Sequence, residues 1–224
     1  MGGQDMAGQS LMEIYELLYE RFGPQHWWPG DGRFEIIVGA ILTQNTNWGN
    51  VERAIANLKA AGVLNPAAIH GMTVEELAGL IRPAGYFNVK AARLKSFMNW
   101  LFEAYGGDVD APAAEDLHTL RRRLLAVKGV GRETADSILL YAYDKPIFVV
   151  DAYTARVAVR HRLIDADADY EQLRELFQWS LPEDVRLFNE FHALIVRVGK
   201  EYCRPTARCA GCPLEALPHV LDQR

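Results

Sequence analysis

The sequence contains no long apolar run and only three cysteines, and both features limit the classes of protein that it can represent. No apolar run approaches the roughly 18 residues of a membrane span, so we expect no association with a membrane. Residues 1–9 have neither a basic nor an apolar stretch, and we expect no signal peptide. The cysteines, all between Cys203 and Cys212, cannot form a closed disulfide framework. We therefore expect a cytoplasmic protein.

The sequence also has fewer basic than acidic residues. The 224 residues contain 24 Lys and Arg against 29 Asp and Glu, a net charge of −5. This balance excludes a protein that coats nucleic acid through bulk charge, although it leaves room for a local basic patch. Half of the residues are hydrophobic and 24% are charged, which is typical of a globular protein of one large or two modest domains.

Apolar residues recur at helical spacing along nearly the whole chain. Capping residues and glycine or proline breaks divide this pattern into predicted helices that begin near residues 10, 34, 47, 73, 88, 117, 134, 151, 170 and 183. The one strand candidate, residues 147–150, is too short to support a sheet. The pattern predicts an all-α protein without internal repeats.

A tight glycine turn joins two of these helices, at Gly129-Val-Gly131. Glycine permits positive φ and close approach of another backbone, and the following helix presents unpaired N–H groups that suit a phosphate. A dinucleotide site is an alternative, but it needs a preceding strand and a third glycine where Thr134 stands. A tight turn without a ligand is another.

Local charge favours a nucleic-acid backbone as the ligand of this turn. Residues 121–162 contain nine Lys and Arg and four Asp and Glu, 9 − 4 = +5, within a chain of −5. Such a concentration is typical of a local grip on phosphates.

Three segments together resemble the endonuclease III superfamily of DNA glycosylases: residues 42–48, 127–135 and 149–157. The resemblance extends over residues 11–214. It implies a two-lobed all-α fold with damaged double-stranded DNA and a flipped base in the cleft between the lobes. One lobe would be a helical bundle of residues 31–142, with the helix-hairpin-helix at about 117–142. The other would combine residues 1–30 with 143–224.

The resemblance also implies roles for individual residues. Asp151 matches the family's catalytic aspartate, and Gln44 matches a residue that enters the gap left by the flipped base. A carboxylate beside the sugar can stabilise the positive charge that builds as the N-glycosidic bond breaks, although Asp is also an ordinary helix cap. The hairpin residues that would hold DNA are Lys128, Gly129, Val130, Gly131, Arg132 and Thr134.

One departure from the family concerns the nucleophile. Bifunctional members have a lysine just after the hairpin glycines, and here that position is Glu133. A carboxylate cannot form an imine, and no lysine lies between Lys128 and Lys145. We therefore expect a monofunctional hydrolase of N-glycosyl bonds without abasic-site lyase activity.

Aromatic residues indicate the substrate. Trp27, Trp28 and Pro29 precede the second predicted helix, and Trp48 follows the Gln44 segment. Desolvated tryptophan faces suit a cationic base. Trp28 and Trp48 are the expected stacking pair, with Trp27 and Pro29 as pocket wall. This pattern resembles the 3-methyladenine DNA glycosylase III branch of the superfamily.

The three cysteines resemble the family's [4Fe–4S] loop. Four thiolates usually hold such a cluster, but Pro218 stands where the family's last cysteine would be. We interpret residues 203–219 as a degenerate loop and expect no cofactor. A cluster on Cys203, Cys209 and Cys212, or zinc on these residues plus His219, is the alternative.

The predicted function is therefore excision of alkylated purines, 3-methyladenine first, by a monomeric base excision repair enzyme. One alternative is a glycosylase for oxidised pyrimidines or mismatched bases, and another is a non-catalytic helix-hairpin-helix DNA-binding module. Three other features receive structural interpretations. We expect Gly85, Tyr86 and Phe87 to form a packed turn, His192 to be a structural histidine, and residues 121–123 to lie on a solvated face.

Overall fold

The computed structural model describes the backbone of residues 2–221 and the side chains of residues 11–221. Within these residues the regular structure is helical and no β-strand is present, so the prediction of an all-α protein is confirmed. The α-helices are α1 (Gly2–Phe22), α2 (Arg33–Leu42), α3 (Trp48–Ala60), α4 (Pro66–Gly71), α5 (Val74–Leu80), α6 (Phe87–Tyr105), α7 (Leu117–Ala126), α8 (Arg132–Ser137), α9 (Ala152–Arg160), α10 (Tyr170–Ser180) and α11 (Val185–Glu201).

Shorter elements complete the fold. A π-helical segment, Ile138–Ala142, continues α8, and two 3₁₀ turns cover Arg82–Ala84 and Ala111–Ala114. Helix α1 starts at Gly2, whereas the sequence predicted a start near residue 10.

The chain divides into two compact units. The hairpin unit consists of residues 28–145, and the terminal unit consists of the chain up to Trp27 together with the chain from Pro146. These boundaries lie three residues outside 31 and 142, the limits expected from the sequence.

Helix α2 forms the centre of the hairpin unit. Its residues from Ile37 to Leu42 are all buried, as expected for a helix that is apolar on every side. It packs against α3, α6 and the π-helical segment.

An aromatic cluster forms the core of the terminal unit. Phe148 stacks on Phe177 with ring centroids 4.4 Å apart and meets Phe188 and Phe191 edge to face. The side chain of Gln178 makes the hydrogen bonds that a neighbouring strand would otherwise make. It accepts from Phe148 N at 2.8 Å and donates to the Pro146 carbonyl at 2.9 Å. The extended segment before Asp151 is thereby fixed without a sheet.

Candidate active site

The glycine turn of the hairpin connects α7 to α8. Gly129 has φ of +92°, and a Cβ at this position would overlap Arg93 Cγ, so conformation and close packing both require glycine. Gly131 has a negative φ of −88° and open space around its Cα. The turn therefore presents exposed backbone at Gly131 while Gly129 is packed inward.

The predicted DNA-binding residues of the hairpin divide by exposure. Lys128, Gly131 and Arg132 are exposed, whereas Val130 and Thr134 are only 6% exposed. Val130 and Thr134 can hold the hairpin in shape, and the exposed residues are those that a phosphate can reach.

Gln44 is bound to this hairpin through its side-chain amide. Its Nε2 donates to the Gly129 carbonyl at 3.2 Å and to Thr134 Oγ1 at 2.8 Å, and its Oε1 accepts from Arg93 Nη1. The structure therefore joins the α2–α3 turn, the hairpin and α6 in one network. Sequence reasoning missed Arg93, which lies far from both partners along the chain.

Trp28 and Trp48 lie together in the hairpin unit. Their ring centroids are 5.0 Å apart with planes at 87°, and Tyr141 lies 4.9 Å from Trp28 on a tilted plane. Gly39 of α2 allows this approach, since a Cβ there would lie 3.2 Å from Trp28 Nε1 and 3.3 Å from the Trp48 ring. Because the two tryptophans touch edge to face, a base can stack on an outer ring face, whereas a slot between them requires the rings to separate.

Other aromatic positions differ in exposure. Trp27, in the terminal unit, is partly buried, and Pro29 is exposed. Tyr86 is 73% exposed and has φ of +45°, a conformation that few non-glycine residues adopt. The expectation that Tyr86 forms a packed turn is therefore wrong, since its ring projects from the start of α6.

Asp151 begins α9 and caps it. Its Oδ1 accepts from Tyr153 N at 2.9 Å, Thr154 N at 2.8 Å and Thr154 Oγ1 at 3.0 Å. One carboxylate oxygen is thus used for the cap, and the other, Oδ2, remains for other contacts. The capping and catalytic interpretations of Asp151 are compatible for this reason.

His192 of α11 lies beside the second oxygen. Its Nε2 is 3.6 Å from Asp151 Oδ2, and the imidazole is buried. Burial of the carboxyl would raise the pKa of Asp151, but the nearby His192 imidazole, together with donation from Thr154, outweighs burial and lowers it. His192 is therefore more than the structural histidine expected from the sequence, because it contacts the candidate catalytic group.

Charged residues around the hairpin are less exposed than expected. Arg121 donates from Nε to Asp136 Oδ1 at 2.7 Å and from Nη2 to Oδ2 at 3.0 Å, and Asp136 is fully buried. Arg123 pairs with Glu115 at 3.0 Å. The expected solvated face at 121–123 is thus wrong for Arg121, whereas Arg122 and Arg123 are exposed. Glu133, at the lysine-replacing position, is exposed in the first turn of α8.

The cysteine loop is held by arginines of α9. Arg160 donates to Cys203 Sγ at 3.3 Å and to the carbonyls of Arg204 and Pro205, and Arg156 donates to the Cys203 carbonyl at 2.5 Å. Over the residues that the structure describes, no group of three or more His, Cys, Asp or Glu side chains is arranged to hold a metal ion.

These features define a class of protein. A glycine-turn hairpin between two helices, followed by an aspartate that opens the next helix, is the arrangement of the helix-hairpin-helix DNA glycosylases. More particularly, the chain belongs to the HhH-GPD superfamily of base excision DNA repair proteins, whose family model matches residues 38–183. The matched span includes Gln44, the hairpin and Asp151, and the predicted superfamily is thereby confirmed.

Individual relatives agree with this assignment. The "Putative DNA repair glycosylase MJ1434" of Methanocaldococcus jannaschii is 47% identical over 208 residues, which are 92% of this chain and 94% of the relative. The H. pylori 3-methyladenine DNA glycosylase (MagIII) bound to 1,N6-ethenoadenine superposes with a TM-score of 0.72 at 28% identity, covering 90% of this chain and 98% of that one.

The fold is shared with a wider group of DNA complexes. A non-covalent Endonuclease III–DNA complex superposes with a TM-score of 0.81 at 22% identity, covering 94% of each chain. This likeness establishes the fold. Within residues 2–221, no helix has the length and apolar character needed to cross a membrane.

Proposed function

We propose that this DNA glycosylase removes alkylated purines, 3-methyladenine first, from double-stranded DNA, and that it acts as a monomer. The observation that carries the proposal is the aromatic cluster of Trp28, Trp48 and Tyr141 packed over Gly39. N-alkylated purines are cationic, and a desolvated ring face can contribute roughly 2 kcal/mol to binding such a base. The structural neighbour named as a 3-methyladenine DNA glycosylase, solved with a modified adenine, supports this choice of substrate.

The chemistry is assigned to Asp151. As the bond between C1′ and the base nitrogen breaks, its electron pair leaves with the base and positive charge builds on the sugar. Asp151 Oδ2 is available to stabilise that charge, because Oδ1 is held by the α9 cap. Water then forms a bond to C1′, and Asp151 accepts its proton. An alkylated purine is already a good leaving group and needs little acid assistance.

The hairpin is proposed to hold the DNA backbone. Exposed backbone at Gly131, together with Lys128 and Arg132, can bind phosphate. Gln44 lies against this turn and is proposed to enter the gap left by the flipped base.

We propose that the reaction ends at an intact abasic site, because Glu133 cannot act as an amine nucleophile. Imine formation requires an amine, and this exposed carboxylate stands where the family's bifunctional members have lysine. Borohydride should therefore trap no covalent protein–DNA adduct.

The test is single-turnover incubation with alkylated duplex DNA, with released bases resolved by chromatography and strand breaks resolved on a gel. We expect 3-methyladenine release without nicking by the wild-type protein. Asp151→Asn should slow release by at least about 100-fold with DNA affinity retained, because the charge is lost while a capping side chain remains.

Asp169→Asn is the matched control. Asp169 also caps a helix of the terminal unit, α10, through a bond to Gln172 N at 2.9 Å. It should release base at the wild-type rate. Release of an oxidised pyrimidine or a mismatched base in place of 3-methyladenine would reject the proposed substrate, and equal rates for both variants would reject the role of Asp151.

A further inference from the structure

The two oxygens of the Asp151 carboxylate have different surroundings. Oδ1 accepts three hydrogen bonds from the first turn of α9, which is close to the capacity of one carboxylate oxygen. Oδ2 lies 3.6 Å from His192 Nε2. If Asp151 acts on the sugar, as proposed above, Oδ2 is the oxygen with capacity for it.

Two packed helices set the position of His192 relative to Asp151. Helices α9 and α11 lie against each other, and Gly199 of α11 provides the space for Tyr153, since a Cβ at Gly199 would overlap the Tyr153 ring. Tyr153 is two residues after Asp151, and His192 lies two helical turns before Gly199. The approach of histidine to carboxylate is therefore fixed by helix packing and not by a mobile loop.

The distance between His192 Nε2 and Asp151 Oδ2 can shorten during the reaction. A separation of 3.6 Å is longer than a hydrogen bond, and catalytic contacts are often long in a protein without substrate and shorten when substrate binds. A movement of less than 1 Å would bring Nε2 within hydrogen-bond distance of Oδ2.

We propose that His192 is a positioning residue for Asp151. As a neutral imidazole, it donates its Nε2–H to one lone pair of Oδ2, which keeps the carboxylate ionised and leaves the other lone pair for the sugar and the attacking water. This inference rests on the proposed function of Asp151.

The neutral form is the one that serves the chemistry. An imidazolium beside Asp151 would offset the negative charge that must stabilise the cationic sugar. A neutral donor fixes the oxygen without cancelling its charge. The proton of the attacking water passes to Asp151, while His192 keeps its own proton throughout.

The test compares three substitutions in the full-length protein. His192→Gln can place an amide N–H near the position of Nε2, His192→Asn has a donor that is too short to reach it, and His192→Phe keeps the ring without a donor. The single-turnover rate of base release should fall about 10- to 100-fold in the Phe and Asn variants and recover to within about fivefold of wild type in the Gln variant.

Binding and stability distinguish positioning from a merely structural role. The Kd for a duplex containing an abasic-site analogue should stay within about twofold of wild type in all three variants, because the hairpin is untouched. In the Asp151→Asn background, His192→Phe should cause no further loss of rate. A wild-type rate in the Phe variant, or loss in all three variants in proportion to Tm, would overturn the proposal.

A measurement that does not depend on catalysis distinguishes this inference from the proposed function. The ¹³C resonance of the Asp151 carboxyl should titrate at higher pH in His192→Phe than in wild type, and the Gln variant should lie between them. Failure of the wild-type protein to release any base would reject the proposed function but not this contact. Identical titrations in all variants would reject the contact itself.

Discussion

At the scale of single residues, the two glycines of the hairpin have different tasks. Gly129 has a left-handed conformation and lies directly against the Arg93 side chain, whereas Gly131 has an ordinary extended conformation and open space. A sequence motif treats the two glycines as equivalent. The structure assigns packing to Gly129 and access to Gly131.

Alanine substitutions should separate these tasks. Gly129→Ala should lower the free energy of unfolding by about 1–3 kcal/mol, because it introduces strain at positive φ and displaces Arg93. Gly131→Ala, the matched control, should cost less than about 1 kcal/mol. Urea unfolding of both variants measures this difference, and equal losses would contradict the assignment.

The residue scale also shows what a sequence can reveal of a site. Asp151 was predictable because a local motif surrounds it. The approach of His192 to Asp151 and the bond from Arg93 to Gln44 depend on packing between helices far apart in the chain, and no local pattern encodes either contact. The exposure of Tyr86 was missed because an aromatic residue in a glycine turn is usually packed.

At the scale of elements, local signals predicted helix ends where side chains close them. The helix start predicted near residue 73 is confirmed, and a capping box formed by Thr73 and Glu76 closes it with both of its hydrogen bonds. Helix α4 was missed although Asn65 caps it and Pro66 opens it. Its six residues are too few for helical periodicity to be visible.

A buried ion pair links α7 to α8 and so supports the hairpin from within. Arg121→Met would leave the carboxylate of Asp136 buried without this partner, and we expect a loss of about 3–5 kcal/mol. Arg122→Met, at the adjacent exposed position, should change stability by less than about 0.5 kcal/mol. Thermal unfolding compares the two, and a similar Tm for both would show that the pair contributes little.

At the scale of the whole molecule, the charge counted along the sequence overstated the number of basic side chains that are exposed to bind DNA. Four of the nine basic residues between 121 and 162 are buried or half-buried and make internal contacts, namely Arg121, Lys145, Arg156 and Arg160. The other five are exposed: Arg122, Arg123, Lys128, Arg132 and Arg162. A count of formal charge cannot distinguish the buried basic residues from the exposed ones, because it does not record which side chains the fold covers.

The salt dependence of DNA binding should reflect the exposed set. Contacts from the five exposed cations would give a slope of log K against log salt of about −4.5, compared with about −8 for all nine. Lys128→Met should reduce the magnitude of the slope by about one, while Arg156→Met, whose guanidinium is bound to the Cys203 carbonyl, should leave it unchanged. Fluorescence anisotropy over a salt series measures both, and a steep slope that neither substitution alters would contradict the assignment.

The bound state of Gln44 has a consequence for how this protein would search a genome. Before its amide can enter a duplex, it must leave Gly129, Thr134 and Arg93, at a cost of roughly 0.5–1.5 kcal/mol for each hydrogen bond. On undamaged DNA, where base pairing and stacking resist opening, that cost would keep the Gln44 side chain bound to the hairpin. The hairpin could then slide along the phosphates. At a damaged base, which costs less to extrude, the proposed insertion of Gln44 would become favourable, so discrimination between damaged and undamaged bases would begin before any base reaches the aromatic cluster.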